Sequence, residues 1–156
     1  MLIRRNDRHH EGGQSLAEFA MVLPMFLILV FGVIDFGMGL RAYITVAQAT
    51  REGARYASVG NPAGTFSSGG SGDCNGSVST SAVGKVCSTL NGLNLTHVQT
   101  VSVTYPSGQV PGNPVRVQAS YQYHYITPLK AVVNFLSAGA LTDTISISSA
   151  TDMRLE

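Results

Sequence analysis

The 156-residue sequence predicts an α+β chain: a long N-terminal transmembrane and stalk helix, then a small domain with a short helix and a three-stranded antiparallel sheet. Two observations carry this expectation. Residues 19–34 include no charged side chain, and the chain beyond residue 60 turns first to Gly, Ser, Asn, Thr and Pro and then to alternating apolar patterns. The apolar share, 44%, is ordinary for a soluble protein, so placement is more informative than the average.

The helix comes first. Residues 16–34 are apolar except for Glu18, and roughly 19 residues at 1.5 Å each give about 28 Å, the thickness of a bilayer core. A water-soluble domain rarely surrounds such a helix on every face. A cleaved secretory signal fits poorly. Its small-x-small site would be Ala47-Gln48-Ala49, which lies too far downstream and beyond Asp35 and Arg41. Pro24 removes one backbone bond, which membrane helices tolerate. Good helix formers continue through Arg51-Glu52-Gly53-Ala54-Arg55-Tyr56-Ala57, where Glu52 and Arg55 stand at pairing distance, before Gly60 and Pro62 stop the helix. The organisation expected is therefore a basic, unfolded leader over 1–13, a helix over 14–59, and an exported domain over 60–156.

Within that domain, 60–76 reads as a surface loop, and its glycines lack the Gly-Lys-Ser/Thr of a phosphate loop. Val83, Val86 and Leu90 have helical spacing and predict a helix over 79–91. Residues 97–105 alternate, with Val98, Thr100 and Ser102 on one face and Val101, Val103 and Tyr105 on the other. Val115, Val117, Ala119, Tyr121, Tyr123 and Tyr125 line one face of a second strand, after turns at 106–108 and 111–114. A short helix over 129–136 and a strand over 141–154, with Ile145 and Ile147 on one face, complete the domain.

Cys74 and Cys87 both follow the apolar run, so export to an oxidising compartment would allow a disulfide; two unpaired buried thiols are the alternative. His97 and His124 complete no familiar zinc spacing, and no metal or cofactor is expected. The chain shows no nucleophile motif, cofactor loop or suggestive acid pair, so an enzyme is not expected. A formal charge of +1 argues against a nucleic-acid surface.

The most informative residues are Gly13-Gln14-Ser15-Leu16-Ala17-Glu18-Phe19. A glycine closing a basic leader, a glutamate five residues later and an apolar helix beyond resemble a type IV prepilin peptidase site. Together with Val22-Leu23-Pro24, the Phe31-Gly32-Val33-Ile34-Asp35-Phe36-Gly37 junction and the 51–57 motif, they are similar to the TadE-like family of tight-adherence (Flp) pilus systems. The ending Ala150-Thr151-Asp152-Met153-Arg154-Leu155-Glu156 is similar too, though less specific.

The resemblance implies a pilin-like domain and a minor pilin or pseudopilin, not an enzyme. It implies cleavage between Gly13 and Gln14, and an assembly role for Glu18 and Phe19 in which the Glu18 carboxylate meets the free amine of a neighbouring subunit. Arg51, Glu52, Gly53, Arg55 and Tyr56 carry the family motif. The implied partners are a prepilin peptidase, other pilins and pilus assembly proteins, with membrane lipid around the helix. Flanking charge does not decide orientation, since Arg4, Arg5 and Arg8 face Arg41, Arg51 and Arg55 across the span. The family peptidase cuts on the cytoplasmic side, which implies a single-pass protein of the bacterial inner membrane with its N-terminus inside. The competing expectation is a membrane-anchored extracytoplasmic binding module that never enters a filament.

Overall fold

The structure, a computed structural model, describes residues 11–59, 70–72, 74, 81–137 and 142–156. Most of the expected leader, most of the 60–76 loop and residues 79–80 and 141 lie outside the described residues.

Helix α1 (Glu11–Ser58) is continuous over 48 residues, with Pro24 inside it. It starts before Gly13, so the last residues of the leader are helical where an unfolded segment was expected. By contact, the chain divides within α1 into two compact units, Met1–Phe36 with Tyr125–Asp143 and Gly37–His124 with Thr144–Glu156.

In the second unit, four antiparallel strands lie side by side in chain order: β1 (Gly70–Gly72), β2 (Val98–Thr104), β3 (Pro114–His124) and β4 (Thr144–Arg154). The three expected strands are present, and three-residue β1 adds a fourth along the edge of β2. Its Gly-Ser-Gly sequence has neither β-branched nor apolar residues, so propensity gave no sign of it. The β2–β3 turn contains Gly108 and Gly112 at φ 85° and 90°, the region open to glycine. Asn113 N–H bonds the Val110 carbonyl at 3.0 Å across Pro111-Gly112, which fits proline at the second and glycine at the third position of a type II turn.

Strand β3 follows the expected alternation as far as Tyr123, with Val115, Val117, Ala119, Tyr121 and Tyr123 all buried. Tyr121 and Tyr123 therefore cover a core. The strand ends at His124, and Tyr125, expected on the same face, lies beyond it and is half-buried. Strand β2 departs from strict alternation. The pairing with β3 shifts register between Val98 and Thr100, and Val98 joins Val101 and Val103 among the buried residues instead of facing out with Thr100.

The later part of α1 lies on this buried face. Ala42, Val46, Ala49, Thr50, Gly53, Ala54 and Ala57 recur at intervals of three and four and are buried. A Cβ built on Gly39 would come 3.9 Å from Tyr123, and one built on Gly53 would come 3.4 Å from Val117. Fourteen helical residues span about 21 Å and six strand residues about 20 Å, so α1 runs antiparallel to β3 in step with it. The small side chains let helix and sheet approach closely. Helix α2 (Ala82–Thr89) packs on the same core through Ala82, Val86 and Cys87. Ser81 caps it by accepting the Gly84 N–H at 3.0 Å, which sets a start at Ala82, three residues later than residue 79.

The first unit holds the apolar part of α1 and helix α3 (Leu129–Ser137), which follows β3 in the chain.

Candidate processing and assembly segment

Gly13, Gln14, Glu18 and Phe19 all lie in the first turns of α1, within one uninterrupted helix. The Gln14 side-chain amide donates to the Glu18 carboxylate at 3.1 Å, one turn apart on the same face. Phe19 is exposed, as are Leu16, Met21, Val22, Met25, Phe26, Leu29 and Val33, which surround the helix on every side. This stretch makes α1 long and apolar enough to cross a membrane, and it is a candidate membrane anchor.

Asp35 closes the apolar run. Its carboxylate is 4% exposed and accepts hydrogen bonds from the Ile126 N–H at 2.9 Å, the Thr127 N–H at 3.4 Å and the Thr127 hydroxyl. Burying a carboxylate at the end of an apolar helix is costly, and these donors offset that cost. The sequence placed Asp35 only within a junction motif. A charge ending an otherwise uncharged run was the available signal that it needs partners.

The 51–57 motif separates into two faces. Gly53, Ala54 and Ala57 are buried, and a Cβ on Gly53 would overlap the Val86 side chain. On the outer face Glu52 receives two hydrogen bonds from Arg55, at 3.0 and 3.1 Å, and Lys85 of α2 stands 3.6 Å away. The Arg55 hydrogen bond chiefly, with the charges of Arg55 and Lys85, holds the Glu52 carboxyl below its ordinary range against a smaller opposing effect of burial. Arg51 and Tyr56 are exposed. The motif therefore joins α1 to α2 and the sheet.

Thr50 was not singled out by sequence. It is fully buried, donates to the Ala47 carbonyl at 3.0 Å, and meets Ser149 at 3.2 Å and Thr151 at 3.1 Å on β4. One hydroxyl within a stripe of Ala, Gly and Val was its only trace. Cys74 and Cys87 are joined as a disulfide, with Cα atoms 5.3 Å apart, tying the segment after β1 to α2. Among the described residues, no group of three or more His, Cys, Asp or Glu is placed to hold a metal ion. The His97 and His124 rings lie 4.1 Å apart without a third ligand of those types.

These features define a class: an apolar N-terminal helix, a candidate membrane anchor, that continues into the core of an α+β unit. Over residues 13–55, from Gly13 to the arginine that holds Glu52, the chain matches the family described as TadE-like protein. The TadE-like resemblance is thus shown for that segment. A search of curated proteins found no match, and neither did a search of solved structures.

Proposed function

We propose that this chain is a minor pilin or pseudopilin, cleaved after Gly13 by a prepilin peptidase, that assists assembly of a tight-adherence (Flp) pilus. The observation that carries this is the TadE-like segment over 13–55, in which Gly13 and Glu18 stand in the first turns of α1, ahead of its long exposed apolar stretch. A carboxylate at the centre of a membrane helix costs about 2.5–3.5 kcal/mol, and less near the interface where Glu18 would lie. After cleavage Glu18 occupies the second turn of a new helix, where the helix dipole favours negative charge. Its charge then meets the free amine at Gln14 of a neighbouring subunit. The side-chain amide of Gln14 supports the carboxylate until that partner arrives.

In this reading the protein is single-pass, with its N-terminus cytoplasmic and its sheet domain extracytoplasmic, and it works by packing against other pilins without catalysis. Glu18→Ala tests it. The variant should insert into the membrane at wild-type levels but no longer co-purify with the major pilin, with piliation reduced. Normal pili in cells expressing only Glu18→Ala contradict the inter-subunit charge role.

A further inference from the structure

This inference rests on the reading of α1 as a membrane span. We propose that the chain from Tyr125 through α3 is a second lipid-contacting element, a foot lying at the outer surface of the bilayer and held there by Asp35. Asp35 follows directly on the uncharged run 19–34, about 24 Å of helix or about 28 Å counted from Leu16, which puts it at the edge of the hydrocarbon. Whatever Asp35 holds must lie at that depth. It holds Ile126 and Thr127 through two backbone N–H groups and the Thr127 hydroxyl. That hydroxyl in turn accepts from the N–H of Leu129, the first residue of α3, at 3.4 Å. The clamp thus fixes the start of α3 as well as the connection before it.

The clamped chain is suited to lipid. Ile126 is 63% exposed and Phe36, next to Asp35, is 73% exposed, so two large apolar side chains at this depth are left uncovered. The α3 sequence Leu-Lys-Ala-Val-Val-Asn-Phe-Leu-Ser carries one charge, Lys130, and that charge pairs with Asp143. In the described part of α3, Ala131 is exposed and Leu129, Val132 and Val133 are half-buried, and apolar surface of this kind beside a span's exit settles in the boundary between headgroups and acyl chains. Depth favours lipid over a protein partner, because the surroundings of a span's exit point in the membrane are headgroup and acyl chain.

The chain contains no tryptophan, so Ile126→Trp creates a single emitter in the full-length protein. In phosphatidylethanolamine–phosphatidylglycerol vesicles, lipids brominated near the headgroup should quench it more than lipids brominated near the chain end. Both should quench it more than they quench N-acetyltryptophanamide in the same suspension. Phe26→Trp reports the span itself and should be quenched most by bromines near the chain end. If Phe26→Trp is quenched while Ile126→Trp is not, the foot is overturned and the span stands. If Phe26→Trp is not quenched, the span reading fails and the foot fails with it. Shielding of Ile126→Trp from aqueous iodide without quenching by either lipid would assign this surface to a protein, such as a second copy, and overturn the proposal. Adding Thr127→Val or Asp35→Asn to Ile126→Trp should cause loss of headgroup-bromine quenching; undiminished quenching in both overturns the clamp.

Discussion

Asp35, Gly53 and Thr50 each solve a local problem raised by the helix on which they sit. Asp35→Ala would leave the part-buried Ile126 and Thr127 N–H groups without their acceptor, which lowers Tm at a cost below the about 1–3 kcal/mol of a fully buried unsatisfied group, because water reaches them in part. Gly53→Ala would press a methyl into Val86 beneath an already close-packed helix, and overpacking of this kind costs about 1–3 kcal/mol. Thermal unfolding of the detergent-solubilised full chain should show a lower Tm for Gly53→Ala; an unchanged Tm would mean that the helix does not lie this close to α2 and the sheet. Gly53 was recognisable as part of a motif, but its reason was not, because the neighbour that forbids a side chain is 33 residues away in sequence. The same holds for Thr50, whose partners on β4 lie about a hundred residues downstream.

The elements themselves were more legible. Uninterrupted apolar character identified the first half of α1, and strict alternation identified β3, since both patterns arise from a single surrounding medium or a single packed face. Patterns failed where local geometry intervened. The register shift near Val98 turned one valine inward, and β1 forms from glycine and serine through pairing alone. Ion pairs lie on the surface within and between elements: Glu52 pairs with Arg55 inside α1 and faces Lys85 of α2, and Arg116 meets Asp152 directly across β3 and β4 at 2.8 Å. Arg116, chiefly by its hydrogen bond, lowers the Asp152 carboxyl, as Arg55 lowers Glu52. A lowered folded pKa means that the stabilisation is present above the unfolded value, about 4, and is lost as pH falls through the folded value. Tm should therefore decline below about pH 4, and Glu52→Gln with Asp152→Asn should flatten part of that acid limb. An identical acid limb in the double variant would show that neither pair contributes; exposure and screening make the expected effect modest.

At the scale of the whole molecule, α1 has two different surfaces. Its beginning is apolar on every side and suited to lipid or to other subunits, while its end carries a narrow stripe of small residues fitted to one sheet. The family model ends at residue 55, so most of the sheet domain rests on packing and alternation alone. The cysteine pairing bears on compartment: if the sheet domain is exported, protein isolated from the cell envelope should show a two-proton mass loss across Cys74 and Cys87, and full alkylation without reduction would contradict export into an oxidising space. A loop of this length adds about 3 kcal/mol on the chain-entropy model, a substantial share for a domain this small. The central claim is that this helix is a processed, polymer-facing one. The most direct test is the N-terminal sequence of the mature protein from cells that carry the prepilin peptidase. It should begin at Gln14, with Glu18 as its fifth residue. An intact N-terminus starting at Met1 in those cells would contradict the account and leave a membrane-anchored module that never enters a filament.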